Sequence, residues 1–165
     1  NDKKKSIVIP CGIDTKIFKP MIKEECRATL KLGNKKYILF AGNPSVRVKY
    51  YSLAKKCFQK LRSISKFSCE MIPLIGYRHS DIPLLLNAVD VLLMTSHHEG
   101  SPMVVKEAMA CNTPIVSVDV GDVKEQIGNI DGCFVVKKKS AELIAKAEEQ
   151  QTTINPDEIF DKIIE

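Results

Sequence analysis

The sequence predicts an open, doubly wound α/β fold: a mainly parallel sheet of about six strands with helices on both faces. Two observations predict it. Short, continuous apolar runs rich in Val, Ile and Leu alternate with segments of helical spacing or composition, and this alternation continues along most of the 165 residues. Runs that are apolar throughout belong to strands covered on both faces, as in parallel sheets. Right-handed crossovers then place helices on both sides, and ligands bind at the carboxyl ends of the strands.

The elements follow in order. SIVIP (Ser6–Pro10) reads as the first strand and Met21–Leu32 as the first helix. YILFAG (Tyr37–Gly42) is a strand ending in glycine, followed by a helix over Tyr50–Ile64. CEMIPLIG (Cys69–Gly76) precedes a helix over Asp81–Ala88, and VLLM (Val91–Met94) precedes one over Pro102–Cys111. PIVSV (Pro114–Val118), a short helix at Val123–Ile127 and CFVV (Cys133–Val136) complete the pattern. Two further helices, Ser140–Gln151 and Pro156–Ile164, are rich in Glu, Lys and Ala, with Gln151–Asn155 as the only candidate linker. All of residues 1–165 fit one domain, a length that buries roughly 70% of the unfolded surface. The chain lacks an initiator Met and opens in mid-pattern, so it reads as part of a longer protein.

Composition narrows the function. Hydrophobic residues make up 44% and charged residues 27%, which excludes a disordered or collagen-like chain. No apolar run approaches a membrane span. Six scattered cysteines without a CxxC pair suit free thiols in a reducing cytoplasm. The net charge of +5 suits an anionic ligand or peripheral contact of the full protein with an acidic membrane. With ten Phe and Tyr, no Trp and no basic aromatic stripe, nucleic acid is not an expected partner. Neither GxGxxG nor GxxxxGK[ST] follows any strand, which argues against a dinucleotide oxidoreductase or a P-loop enzyme.

The chemistry concentrates in TSHHEGSPMVVKEAMACNTPIV. Gly100 permits close backbone approach, Ser101 is a good N-cap and Pro102 a good first helical residue. The amides of Met103 and Val104 then lack internal partners and, with the helix dipole, form an anion site suited to a diphosphate. Glu107 lies about 7 Å along the axis from Pro102, roughly one ribose from that anion. Its carboxylate can accept both ribose hydroxyls, while Glu99 stands on the other side of the phosphate position. The two carboxylates bracket an anion pocket. The competing reading makes Glu99 a first-turn acid and Glu107 a solvated helix residue.

This segment resembles the E-x7-E signature of GT-B retaining glycosyltransferases of family 4. IPCGIDTKIFKP, ILFAGNPSVRVKYYSLAKKC and VDVGDVKEQI resemble further motifs of the family's carboxyl-terminal, donor-binding domain, in the family's order. The resemblance implies that Glu99 binds donor sugar hydroxyls, that Glu107 binds ribose, and that Gly100, Ser101, Met103 and Val104 serve diphosphate or sugar. After Gly42 the family places an Arg and, six residues on, a Lys, both on the diphosphate. Here Asn43 stands at the first position, Lys49 matches the second, and Arg47 is a candidate substitute. Gly76 and Tyr77, with Ile75 and Arg78, fall beside the base. The resemblance further implies a nucleotide-diphosphate sugar as co-substrate, no other cofactor and no metal, and an acceptor-binding amino-terminal domain absent from this chain. His97 and His98 are adjacent and diverge, a poor metal pair, and His79 reads as a loop histidine. The alternative function is an α/β binding or regulatory domain that has lost the chemistry, which Asn43 favours.

Overall fold

The computed structural model of the chain describes Ile9 and residues 11–137. Nearly all of the Ser6–Pro10 strand and both expected helices beyond Ser140 lie outside the described residues. Ile9, the one described residue of that run, is not in a strand.

Five parallel strands form one sheet in the order β2-β1-β3-β4-β5: β1 is Lys36–Phe40, β2 Cys69–Pro73, β3 Val91–Met94, β4 Ile115–Val118 and β5 Cys133–Val136. The helices are α1 (Lys23–Thr29), α2 (Tyr51–Ile64), α3 (Ile82–Ala88), α4 (Met103–Ala110) and α5 (Val123–Ile127). Single 3₁₀ turns at Arg47–Lys49 and His79–Asp81 precede α2 and α3. All residues of β3 and β4 are buried, as unbroken apolar runs require, whereas edge strands β2 and β5 are only partly covered. β2 also ends at Pro73, short of the expected Gly76. The core joins Phe40, Leu39, Leu92, Leu93, Met94 and Ile115 to Leu53, Leu85, Val105 and Ile127 of the helices.

The strand order locates the site. From β1 the chain crosses to β2 on one side, then returns past β1 to β3 on the other. The crevice at the carboxyl ends of β1 and β3 is therefore the switch point, where doubly wound sheets hold their ligands. The loops leaving those two strands carry Gly42–Lys49 and Thr95–Ser101.

At the opposite end of the sheet, Asp90 ties α1 to the strands. Its carboxylate accepts from the Tyr37 amide (2.8 Å), Arg27 (2.8 Å) and Lys23 (3.1 Å). Burial pushes the Asp90 carboxyl up, but these donors together outweigh it and hold the group below the usual carboxylate range. Asp90→Asn is expected to cost about 2 kcal/mol at pH 7. Because the folded-state value is depressed, the stabilisation is complete above about pH 4, the unfolded value, and disappears as pH falls through the folded one. Denaturant melts of both proteins at pH 7 and pH 3 check this: the gap between them should narrow at pH 3.

Candidate functional site

Helix α4 begins at Met103, with Pro102 as its extended N-cap (φ −69°, ψ 116°) and no side-chain cap. The expected cap at Ser101 is thus corrected by one residue. Pro102 takes the extended cap conformation itself, and Ser101 lies before the cap, exposed, with its hydroxyl 3.5 Å from Gln126 Nε2. The helix start retains its polarity. Pro102 has no amide to give, Val105 N donates to Pro102 O, and Met103 N and Val104 N have no acceptor among the described residues.

Glu107 sits one turn in, about 6 Å along the axis from Met103. It is buried, only 7% exposed, which contradicts the reading of a solvated surface glutamate. Burial pushes its carboxyl up, and the neighbouring His79 opposes that rise. His79 Nε2 stands 3.6 Å from Glu107 Oε1, so His79, expected to be an isolated loop histidine, has a companion. Helix α4 packs against α3, which follows the turn carrying His79, and this brings the two side chains together.

Across the crevice, Lys49 Nζ donates to Glu99 Oε1 at 2.7 Å, with both side chains largely buried. The two residues leave different strands, β1 and β3, and meet at the switch point. Gly42 makes this possible: a Cβ there would lie 2.8 Å from Lys49 Cγ and 2.9 Å from Cδ, so any side chain at this position would push the lysine stem out of its path. Thr95, fully buried at the end of β3, places its hydroxyl 3.0 Å from Lys49 O and 3.1 Å from Tyr50 O. That bond secures the left-handed Tyr50 (φ 51°), which turns the chain into α2. His97 N donates to Val48 O and its ring stacks on Tyr50 at 3.8 Å, a structural role.

A third loop fixes the backbone beside Glu99. Gly121 follows β4 at φ 57°, and a Cβ on it would stand 2.2 Å from Gly100 O and 3.0 Å from Glu99 O. Asp122 N donates to the same Gly100 oxygen. The peptides on either side of Gly100 are thereby wedged against the β4 loop.

The other predicted residues lie around the same crevice in less constrained settings. Asn43 accepts from Ser45 N through Oδ1 (2.8 Å), closing a local turn rather than presenting a cation. Arg47 is exposed on its 3₁₀ turn. Gly76 is left-handed (φ 79°) and Tyr77 exposed after β2, while Arg78 binds Asp81 of the adjoining turn. Among the described residues no cluster of three or more His, Cys, Asp or Glu could hold a metal ion, and no helix is long and apolar enough to cross a membrane. Sequence reasoning missed Thr95 and Gly121. The Gly-Asp dipeptide after a strand is a turn signal that could have found Gly121; Thr95 carried none.

The arrangement offers a buried carboxylate behind a helix amino terminus and an ammonium paired with a second carboxylate in front of it. Such a set can take an anion flanked on either side by hydroxyl groups.

The chain is similar to several known proteins. The family model described as "Glycosyl transferases group 1" matches residues 38–151. The 2-deoxystreptamine N-acetyl-D-glucosaminyltransferase of Streptomyces fradiae is 30% identical over 69 residues, which is 42% of this chain and 16% of that protein. The sucrose-phosphate synthase of Thermosynechococcus elongatus superposes with a TM-score of 0.66 at 19% identity, covering 93% of this chain and 45% of that one. Anabaena HepE, solved in complex with UDP and glucose, gives 0.53 at 18%, covering 92% and 49%. At these identities the structural likeness is one of fold. The chain spans less than half the length of each of these three proteins.

Proposed function

Because this chain belongs to the glycosyl transferases group 1 family, we propose that the crevice between β1 and β3 holds a nucleotide-diphosphate sugar for transfer with retention at the anomeric carbon. The observation that carries the reading is the burial of Glu107 behind the free amides of Met103 and Val104, opposite the Lys49–Glu99 pair. A carboxylate withdrawn from water needs a ligand that supplies hydrogen bonds, and the ribose diol does so at the right distance from a phosphate.

In this reading Glu107 accepts the ribose hydroxyls, and the α4 amides with Lys49 take the diphosphate, with Arg47 in reach of the same anion. Glu99 turns to the sugar. Gly76 and Tyr77 border the base, and Gly100 and Ser101 line the passage between phosphate and sugar. Charge that develops on the departing diphosphate meets donors already in place, the electrostatic form of catalysis. Glu99 positions the sugar and does not attack it, since two carboxylates that wrap a phosphate do not flank a scissile bond. The acceptor is held by a further domain outside these 165 residues. HepE, of similar fold and bound to UDP and glucose, supports the assignment of ligand class.

A thermal-shift and calorimetric screen of UDP-, GDP- and ADP-glucose tests the proposal. One of them should bind saturably, and Glu107→Ala should weaken it at least tenfold, about 1.4 kcal/mol or more. No saturable binding by any of the three would instead support the second reading, a domain without transferase chemistry, which Asn43 in place of a cation favours. Robust turnover by this segment alone would refute the assignment of the acceptor to a further domain.

A further inference from the structure

The contact between His79 and Glu107 goes beyond the donor-holding reading on which it rests. His79 opens the 3₁₀ turn before α3, and its ring is held on two sides. One side meets Glu107 Oε1 at 3.6 Å, the other Phe18 edge to face, with centroids 5.4 Å apart at 73°. Phe18 is itself immobilised. Asp14 closes the turn before it, its carbonyl accepting from Ile17 N and Phe18 N and its carboxylate from Lys16 N. Beyond it, buried Asn87 clamps the chain by accepting from Met21 N (2.7 Å) and donating to Lys19 O (3.0 Å). Phe18 is only 1% exposed, so the wall behind the imidazole does not yield.

We infer that His79 is the positioning residue of Glu107: braced by Phe18, its imidazole steers the buried carboxylate toward the ribose hydroxyls and makes nucleotide recognition depend on whether the ring is protonated. A ribose diol donates two protons and needs an ionised carboxylate to accept them. A cationic imidazole draws Oε1 to one side more strongly than a neutral one, leaving Oε2 and the remaining lone pairs for the ligand.

Other charged groups around His79 do not replace it. On its own turn, Arg78 and Asp81 bind each other, which displaces both further from neutral pH. On α4, Lys106 donates to Cys11 O, and at the helix's C-cap burial holds Cys111 as a neutral thiol up to about 11. The segment carrying Phe18 contributes Asp14, engaged in its own turn, and Lys16 and Lys19.

The test compares UDP, ADP and GDP with their 2′-deoxy forms by calorimetry at pH 6 and pH 8.5, in the wild type, His79→Gln and Glu107→Ala. Each ribo/deoxy pair shares its phosphate titration, so the ratio of affinities isolates the ribose contact. In the wild type the preference for the ribose form should be about threefold to fivefold larger at pH 6 than at pH 8.5, the effect of a half-exposed ion pair. In His79→Gln the preference should be smaller and the same at both pH values, and in Glu107→Ala it should vanish. Thermal melts should leave His79→Gln folded as the wild type, because the ring is exposed. A wild-type preference that His79→Gln retains with the same pH dependence overturns this inference and leaves the donor-holding reading intact. Absence of binding by all six nucleotides to the wild type overturns both.

Discussion

Gly121→Ala is expected to abolish donor binding while leaving most of the fold in place. The added Cβ would lie 2.2 Å from Gly100 O and 3.0 Å from Glu99 O, well inside contact distance, and both atoms belong to backbone. No rotamer can relieve the clash. The residue must also hold φ 57°, which costs an L-residue about 1 to 2 kcal/mol. Relief comes only by moving the peptides on either side of Gly100 away from β4. That movement breaks the Asp122 N to Gly100 O bond and separates Glu99 from Lys49. We expect a stability loss of about 3 kcal/mol and a fall in nucleotide-sugar affinity of at least about a hundredfold, or about 2.7 kcal/mol. Denaturant melts and calorimetry on the same preparations separate the two effects. Unchanged affinity in Gly121→Ala would show that the wedge does not set the position of Glu99.

Lys49 and Glu99 should respond in opposite ways to nucleotide without sugar. Their ion pair, 2.7 Å long and largely withdrawn from water, must open or be shared when a diphosphate arrives. Lys49→Met keeps the stem over Gly42 and removes only the charge. It should lower UDP, ADP or GDP affinity about a hundredfold for whichever base is bound, the effect of losing a buried charge-assisted contact of about 2 to 3 kcal/mol. Glu99→Gln instead frees the ammonium from its competitor. Affinity for the bare nucleoside diphosphate should hold or rise, and the extra affinity contributed by an attached sugar should be lost. Parallel losses in both variants, with and without sugar, would contradict this division of labour. The double variant should not equal the sum of the single ones, because the two side chains share one bond.

Several features of this site can be read from the sequence because their causes are local. Glycine before a helix, proline at its start and a glutamate one turn in are consequences of backbone geometry, and α4 lies within a residue of its expected limits. The cap moved from Ser101 to Pro102 because the proline's ψ of 116° is extended, a choice between neighbours that composition does not decide. Strand β2 ended early for a similar reason: after Pro73 the chain turns toward the left-handed Gly76. His79 illustrates the opposite case. Its contacts with Phe18 and Glu107 join residues far apart in sequence, and no periodicity announces them.

The alternation of apolar runs with helical segments, by itself, determined that this chain forms a doubly wound sheet, because runs apolar on both faces must be covered on both faces. It also determined that the loop before α4 presents unpaired amides, because the first turn of any helix leaves them free. Only the tertiary structure decided that Lys49 meets Glu99, that Gly121 wedges the peptide beside Glu99, and that Glu107 is buried against His79. Each of these depends on the order β2-β1-β3-β4-β5, which brings the loops after β1, β3 and β4 to one end of the sheet. Strand order arises from the packing of the whole core, and no single segment carries it.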